Sequence, residues 1–76
     1  MNIVIQISEA YNVPSCYHVK MGNNISWVTE DAVDPEEALC MFLSTFISPV
    51  FDAELRYKYE VNGVVCYLYA VSLSDN

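Results

Sequence analysis

One segment of the chain, residues 33–49 (VDPEEALCMFLSTFISP), has the spacing and both end signals of an amphipathic helix. Asp34 is placed to cap the helix, Pro35 suits its first position, and Glu37 follows the cap at capping-box spacing. Apolar residues recur at helical spacing and form one stripe: Leu39, Phe42, Leu43, Phe46 and Ile47. Pro49 disfavours helical geometry in the residue before it and ends the pattern. We expect the rest of the chain to form a sheet that covers this stripe.

Alternation of apolar and polar residues predicts a sheet of five strands around the helix. The strands are predicted over residues 2–8, 16–21, 25–29, 54–61 and 64–71. Gly22-Asn23-Asn24 predicts a turn, and residues 72–76 are expected to form a frayed polar tail. The order β-β-β-α-β-β defines an α+β fold, a two-layer sandwich of an antiparallel sheet and one helix. A chain of 76 residues without an internal repeat or linker predicts a single domain, residues 1–76.

The last two strands are predicted to form a hairpin, because Asn62-Gly63 is the favoured dipeptide of a two-residue type I′ turn. In the register set by this turn, Val61 stands opposite Val64 and Leu55 opposite Ala70. One face of the hairpin then contains Leu55, Tyr57, Tyr59, Val61, Val64, Cys66, Leu68 and Ala70. We expect this face to meet the helix. The outer face pairs Glu60 with Val65, Lys58 with Tyr67, Arg56 with Tyr69, and Glu54 with Val71.

Residues that carry most enzyme chemistry are few in this sequence. One His and three isolated Cys are too few for a zinc site, and neither Gly begins a phosphate-binding motif. Cys16 and His18 share a strand face, but no third group is placed to orient them. The carboxylates stand in loops and at a helix start rather than in an apolar cleft. We therefore expect no metal, no cofactor and no catalytic residue, and the protein is predicted not to be an enzyme.

The charge of the chain restricts its partners. Ten Asp and Glu against three Lys and Arg give a formal net charge of −7. Such a protein is repelled by nucleic acids and by anionic membranes and is attracted to basic surfaces. Five carboxylates cluster at the predicted junction of strand and helix: Glu30, Asp31, Asp34, Glu36 and Glu37. Two interpretations stay open for them, namely stabilisation of the helix N-terminus and binding of a basic partner.

A second candidate surface is the outer face of the predicted hairpin, because the last strand is apolar on both faces. Tyr67 and Tyr69 would stand there opposite Lys58 and Arg56, in positions suited to cation–π contacts. We expect this face to contact a partner or a second copy; coverage by the protein's own loops is the alternative. The hydrophobic content of 54 % also favours a homodimer.

The sequence gives no sign of secretion or of membrane insertion. The N-terminus lacks a positive region and its apolar residues alternate with polar ones, unlike a signal peptide. No apolar run approaches membrane-spanning length. Three widely spaced Cys do not form a disulfide framework and fit a reducing compartment, so a cytoplasmic location is expected.

Two resemblances to known families follow from these features. Residues 1–50, a three-stranded meander followed by DPEEAL opening a helix, resemble the N-terminal domain of HicB-type antitoxins. In length, acidity, α+β order and absence of catalytic groups, the whole chain is similar to small acidic phage-encoded anti-defence proteins, especially anti-CRISPR proteins and other nucleic-acid mimics. The second resemblance implies a stoichiometric inhibitor that occupies a basic nucleic-acid groove of a host complex.

The leading hypothesis is therefore a non-enzymatic inhibitor of phage or mobile-element origin, acting in the host cytoplasm. Its five clustered carboxylates would meet Lys and Arg of a basic, nucleic-acid-binding surface on a host defence complex, and Tyr67 and Tyr69 would provide apolar contacts. The alternative is an antitoxin-like or structural dimerisation module that binds a small protein partner through its exposed sheet.

Overall fold

The computed structural model describes residues 2–22, 25–47 and 51–73. Its elements are β1 (Asn2–Glu9), β2 (Tyr17–Met21), β3 (Ile25–Thr29), α1 (Pro35–Phe46), β4 (Phe51–Val61) and β5 (Val64–Leu73). The order β-β-β-α-β-β and the α+β fold with an antiparallel sheet are confirmed. Ser72 and Leu73, predicted to lie in a frayed tail, belong to β5 instead. The predicted turn residues 23–24, the predicted helix end at 48–49 and residues 74–76 lie outside the described residues.

The five strands are antiparallel and ordered β3-β2-β1-β5-β4. The first strand is central, since Ile5 lies opposite Met21 of β2 on one side and Tyr69 of β5 on the other. The helix packs against β1, β2 and β3. It therefore covers one half of the sheet, and the β4–β5 hairpin continues beyond it in a molecule measuring 40 × 22 × 22 Å.

The core lies between α1 and the half of the sheet that the helix covers. Its buried residues are Ile5, Ile7, Tyr17, Val19, Ala32, Ala38, Leu39, Phe42, Leu43, Tyr69 and Val71. Trp27 of β3 closes one side of this core, with its ring centroid 5.8 Å from that of Phe42 and 5.6 Å from that of Phe46. Phe46 is nevertheless 51 % exposed. The predicted apolar stripe is thus buried along most of its length but not at its C-terminal end.

The faces of the hairpin are the reverse of the prediction. Ile3, Ile5 and Ile7 face the helix, and β5 places Val71, Tyr69 and Tyr67 directly opposite them. Tyr69 is 3 % exposed, so the expectation that Tyr67 and Tyr69 lie on the outer face is wrong. From Tyr57 through the turn to Leu68, the face of the hairpin that was predicted to meet the helix points away from the helix. Both faces of β5 are apolar, and its pairing with β1 decides which of them enters the core.

The register of the hairpin follows the prediction near the turn and departs from it further along. Asn62 and Gly63 have φ angles of 53° and 80°, as a type I′ turn requires, and Tyr57 lies opposite Leu68 as predicted. A β-bulge between Leu55 and Tyr57 then shifts the pairing by one residue. Leu55 lies opposite Tyr69 and Glu54 opposite Ala70. The predicted pairs of Leu55 with Ala70, of Arg56 with Tyr69 and of Glu54 with Val71 are therefore wrong.

The helix begins where the sequence predicts, through a variant of the capping box in which Glu37 reaches back to the residue before the cap. The Asp34 side chain accepts a hydrogen bond from the backbone N–H of Glu37 at 2.7 Å. The Glu37 carboxylate in turn accepts one from the backbone N–H of Val33 at 3.1 Å. Both bonds satisfy backbone donors that have no partner inside the helix.

Removing the cap should weaken the fold measurably. We expect Asp34→Ala to lower the free energy of unfolding by about 1 kcal/mol, because the N–H of Glu37 loses its acceptor. Asp34→Asn should retain most of the stability, since an asparagine oxygen caps as well as a carboxylate. Urea unfolding followed by circular dichroism measures both variants. Equal losses in the two would assign the effect to the negative charge and not to the hydrogen bond.

Candidate functional site

The connection between β3 and α1 is fixed at its centre and exposed on both sides. Ala32 is fully buried, and its N–H donates a hydrogen bond to the carbonyl oxygen of Ser15 at 3.1 Å. Asp31 adopts a φ of 65°, in the left-handed region that Asp tolerates better than most residues. Glu30 and Asp31 are exposed beside this anchor. The fold therefore holds the acidic connection against the loop between β1 and β2.

Carboxylates from three parts of the fold meet at this end of the molecule, which we call the acidic end. Its members are Glu9 of β1, Glu30 and Asp31 of the connection, the cap Asp34, and Glu36 and Glu37 of the first helical turn. Glu9 and Glu37 are half-buried and the other four are exposed. The five carboxylates of the predicted site lie in the β3–α1 connection and at the start of the helix. Glu9 lies at the same end of the sheet, because it pairs with Tyr17, which in turn pairs with Thr29.

Two buried tyrosines, Tyr17 and Tyr69, lie near carboxylates of the acidic end. Burial raises the pKa of Tyr17, and the negative charges of Glu9 and Asp34 raise it further. Burial also raises the pKa of Tyr69, with further contributions from Glu36 and Asp34. Asp34 thus raises the pKa of both tyrosines, together with Glu9 at Tyr17 and with Glu36 at Tyr69.

Tyr67 links the acidic end to the hairpin. Its hydroxyl donates a hydrogen bond to the Glu9 carboxylate at 2.8 Å, and the Lys58 ammonium lies 5.7 Å from the centroid of its ring. The predicted cross-strand pair of Lys58 and Tyr67 is therefore confirmed. Burial, followed by the hydrogen bond to Glu9 and that residue's charge, raises the pKa of Tyr67 to about 12. Tyr67 supports Glu9 from the core side and is not an outward anchor.

The Lys and Arg residues of the chain lie outside the acidic end. Lys20 lies on β2, whereas Arg56 and Lys58 lie on β4. Arg56 forms an ion pair with Glu54 at 3.7 Å, and Lys58 borders the acidic end through Tyr67. Little positive charge therefore offsets the carboxylates of the connection and of the first helical turn.

A shallow groove runs between α1 and the hairpin, beside the acidic end. It encloses about 240 Å³ and is lined by Glu36, Leu39, Cys40, Ala53, Leu55 and Tyr69. The bulge brings Leu55 to this side of the sheet, where it is 45 % exposed. A groove with apolar walls and a carboxylate at its rim can accept a long side chain that has an aliphatic stem and a cationic head.

The sequence-based interpretation misses three residues of a second exposed surface. Tyr57, Tyr59 and Val61 of β4 are 66 %, 38 % and 50 % exposed and point away from the helix. Their alternation along the strand is visible in the sequence, but the same pattern is typical of a buried face. Only the position of β4 at the edge of the sheet shows that this face is exposed and not buried.

The described residues contain neither a group of metal ligands nor a membrane-spanning helix. Across residues 2–22, 25–47 and 51–73, no group of three or more His, Cys, Asp or Glu residues is arranged to hold a metal ion. No helix in this part of the chain is long and apolar enough to cross a membrane. Cys16, Cys40 and Cys66 are free thiols.

Comparisons with known proteins do not assign the chain to a family. No protein family matches it, and no curated protein or solved structure is significantly similar to it.

The hydrogen bond between Tyr67 and Glu9 predicts a loss of stability at alkaline pH. Between the ordinary tyrosine pKa of 10.0 and the folded value of about 12, the unfolded chain releases this proton before the folded chain does. The free energy of unfolding should therefore fall as pH rises through this range. At neutral pH, Tyr67→Phe should cost about 1 kcal/mol, and this difference from the wild type should shrink as pH approaches the folded value.

Urea unfolding at a series of pH values tests this prediction, with Tyr57→Phe as a control at an exposed tyrosine. The free energy of unfolding of Tyr57→Phe should change with pH in the same way as that of the wild type. A difference between Tyr67→Phe and the wild type that stays constant with pH would show that the two states release this proton together.

Proposed function

We propose that the protein is a non-enzymatic inhibitor whose acidic end binds a basic, nucleic-acid-binding surface of a partner protein. In this proposal it acts as an acidic nucleic-acid mimic in the manner of anti-CRISPR proteins, is encoded by a phage or mobile element, and acts in the cytoplasm of the host on a defence complex. The observation that carries the proposal is geometric: Glu9 at the end of β1, the β3–α1 connection and the first turn of α1 lie at one end of the molecule.

Capping alone does not account for this surface. Asp34 and Glu37 form the capping box, but Glu30 and Asp31 precede the cap and Glu9 lies on a different strand. Exposed charges of one sign raise the rate of encounter with a basic partner and disfavour other partners. Carboxylates that come from several elements exceed the needs of one helix end, and they could meet several Lys and Arg residues that otherwise bind phosphates.

The groove beside the acidic end adds a place for a specific contact. Leu39, Leu55 and Tyr69 provide apolar walls, and Glu36 stands at the rim. An Arg or Lys of the partner could lay its aliphatic stem in the groove and reach Glu36 with its charged head. Such an anchor supports binding that depends on shape as well as on net charge.

Two variants with the same formal net charge test the proposal. Glu30→Gln with Glu36→Gln removes two charges from the acidic end and leaves the capping box intact. Asp52→Asn with Glu54→Gln removes two charges from the face of the sheet that points away from the helix. Each protein is immobilised and exposed to a bacterial lysate at low salt, and bound proteins are identified by mass spectrometry as salt is raised.

The proposal predicts a nucleic-acid-binding protein that is retained by the wild type and by the Asp52/Glu54 variant. Added double-stranded DNA or RNA should displace it, because both ligands occupy the same basic groove, and salt should release it steeply. The Glu30/Glu36 variant should bind at least about tenfold more weakly if two charge-assisted contacts are lost. Equal loss in both variants would indicate non-specific attraction to net charge and would contradict the proposal.

The exposed hairpin supports a second candidate function, an antitoxin-like or structural module that binds a small protein through its sheet. Every side chain from Asp52 to Val61 is exposed. Strand edges of this kind pair with extended segments of partners, and such pairing depends weakly on salt. A small partner that withstands high salt and is lost on Tyr57→Ser would favour this function over the first.

A further inference from the structure

The sheet has two edge strands, and they differ in how they are covered. β3 has five residues and lies against the helix, whereas β4 has 11 residues and every side chain from Asp52 to Val61 is exposed. We call residues 57–61 of β4, between the bulge and the turn, the open edge. An apolar strand edge of this kind is a template for pairing with another strand.

The hairpin turn determines which backbone groups of the open edge are available. Val61 and Val64 flank a two-residue turn and form a hydrogen-bonded pair, so alternation along the ladder makes Tyr59 and Tyr57 hydrogen-bonded to β5 as well. The N–H and C=O groups of Lys58 and Glu60 then point outward. A strand that pairs with the open edge must form its hydrogen bonds with these two residues.

The charges of the same two residues select a register for a second copy of the chain. In an antiparallel pair centred on Tyr59, Lys58 of each copy stands opposite Glu60 of the other. Registers centred on Lys58 or on Glu60 place like charges opposite each other, and a register centred on Tyr57 places Lys58 opposite Arg56. Opposite charges across a strand pair stabilise it and like charges destabilise it.

In the same register, the apolar side chains of the two open edges also match each other. Tyr59 stands opposite itself, and Tyr57 stands opposite Val61 on both sides of the two-fold axis. These are non-hydrogen-bonded positions, where side chains of paired strands approach most closely. The bulge between Leu55 and Tyr57 ends the regular ladder beyond them.

We propose that two copies of this chain pair through the open edges of β4 in antiparallel orientation, with the two-fold axis at Tyr59 and reciprocal ion pairs between Lys58 and Glu60. The dimer has one continuous sheet of ten strands, built from the five of each copy. It uses no residue of the acidic end, so it goes beyond the proposed inhibitor function and can fail or succeed without it.

A charge exchange tests the register. Lys58→Glu and Glu60→Lys, made separately, should each weaken dimerisation by about tenfold, because each single variant places like charges opposite each other at two symmetric positions. The double variant, Lys58→Glu with Glu60→Lys, should restore the wild-type dissociation constant to within about threefold. Sedimentation equilibrium over a concentration series gives these constants, and circular dichroism confirms that each variant is folded.

A matched pair of cysteine variants tests the position of the axis. In a background with Cys16→Ser, Cys40→Ser and Cys66→Ala, Tyr59→Cys should form an intermolecular disulfide under mild oxidation, because non-hydrogen-bonded residues opposite each other suit disulfide geometry. Cys66 is replaced because it lies opposite Tyr59 on β5 of the same chain, where it could form an intramolecular disulfide instead. Tyr57→Cys in the same background should form far less, since its partner across the axis is Val61. Non-reducing electrophoresis separates the products.

Three results would overturn the proposal. The first is a wild type that stays monomeric throughout the concentration series. The second is a double charge variant that dimerises as weakly as the single variants, and the third is equal disulfide formation in Tyr57→Cys and Tyr59→Cys.

Discussion

The arrangement of this protein depends on how much of a sheet one short helix can cover. The helix has 12 residues, and with its side chains a helix is about 10 Å across, or roughly two to three strand spacings. It packs on β1, β2 and β3, and Trp27 of β3 closes the side of that interface against Phe42 and Phe46. The acidic end and the open edge both result from this placement of the helix. The start of the helix concentrates the carboxylates, and the half of the sheet that the helix does not reach contains the exposed strand.

The core and the acidic end are coupled through the tyrosines between them. Tyr69 lies in the core beneath Glu36 and Asp34, and Tyr67 holds the Glu9 carboxylate through its hydroxyl. Packing of these rings against Ile5 and Ile7 thus fixes the positions of surface charges. A charged surface on a rigid support loses little conformational freedom on binding, which favours recognition of a partner with an equally defined surface.

Local signals in the sequence predict the elements well. The capping residues, the type I′ turn and the alternation in each strand are all effects of neighbouring residues, and the structure confirms them. Which face of a strand enters the core, and which strands pair with each other, depend on residues that are far apart in the sequence. Both faces of β5 are apolar, and only its position beside β1 puts Tyr69 in the core. The bulge at Arg56 is equally invisible to alternation, because the sequence around it continues the same pattern. Of the predicted site, the five clustered carboxylates lie on one surface because they are close in sequence, whereas Glu9 joins them through the fold.

The central position of the first strand also has a consequence for how the chain folds. Asn2 lies opposite Ser72, so the ladder between β1 and β5 joins residues 70 positions apart. β1, β2, β3 and α1 can meet through short connections as the chain leaves the ribosome, but one side of β1 has no neighbour until β5 is complete. Folding should be slower than the small size suggests, since the cost of closing this long loop precedes the gain from the ladder. A chain shortened within β5 would leave one edge of the central strand, β1, unpaired.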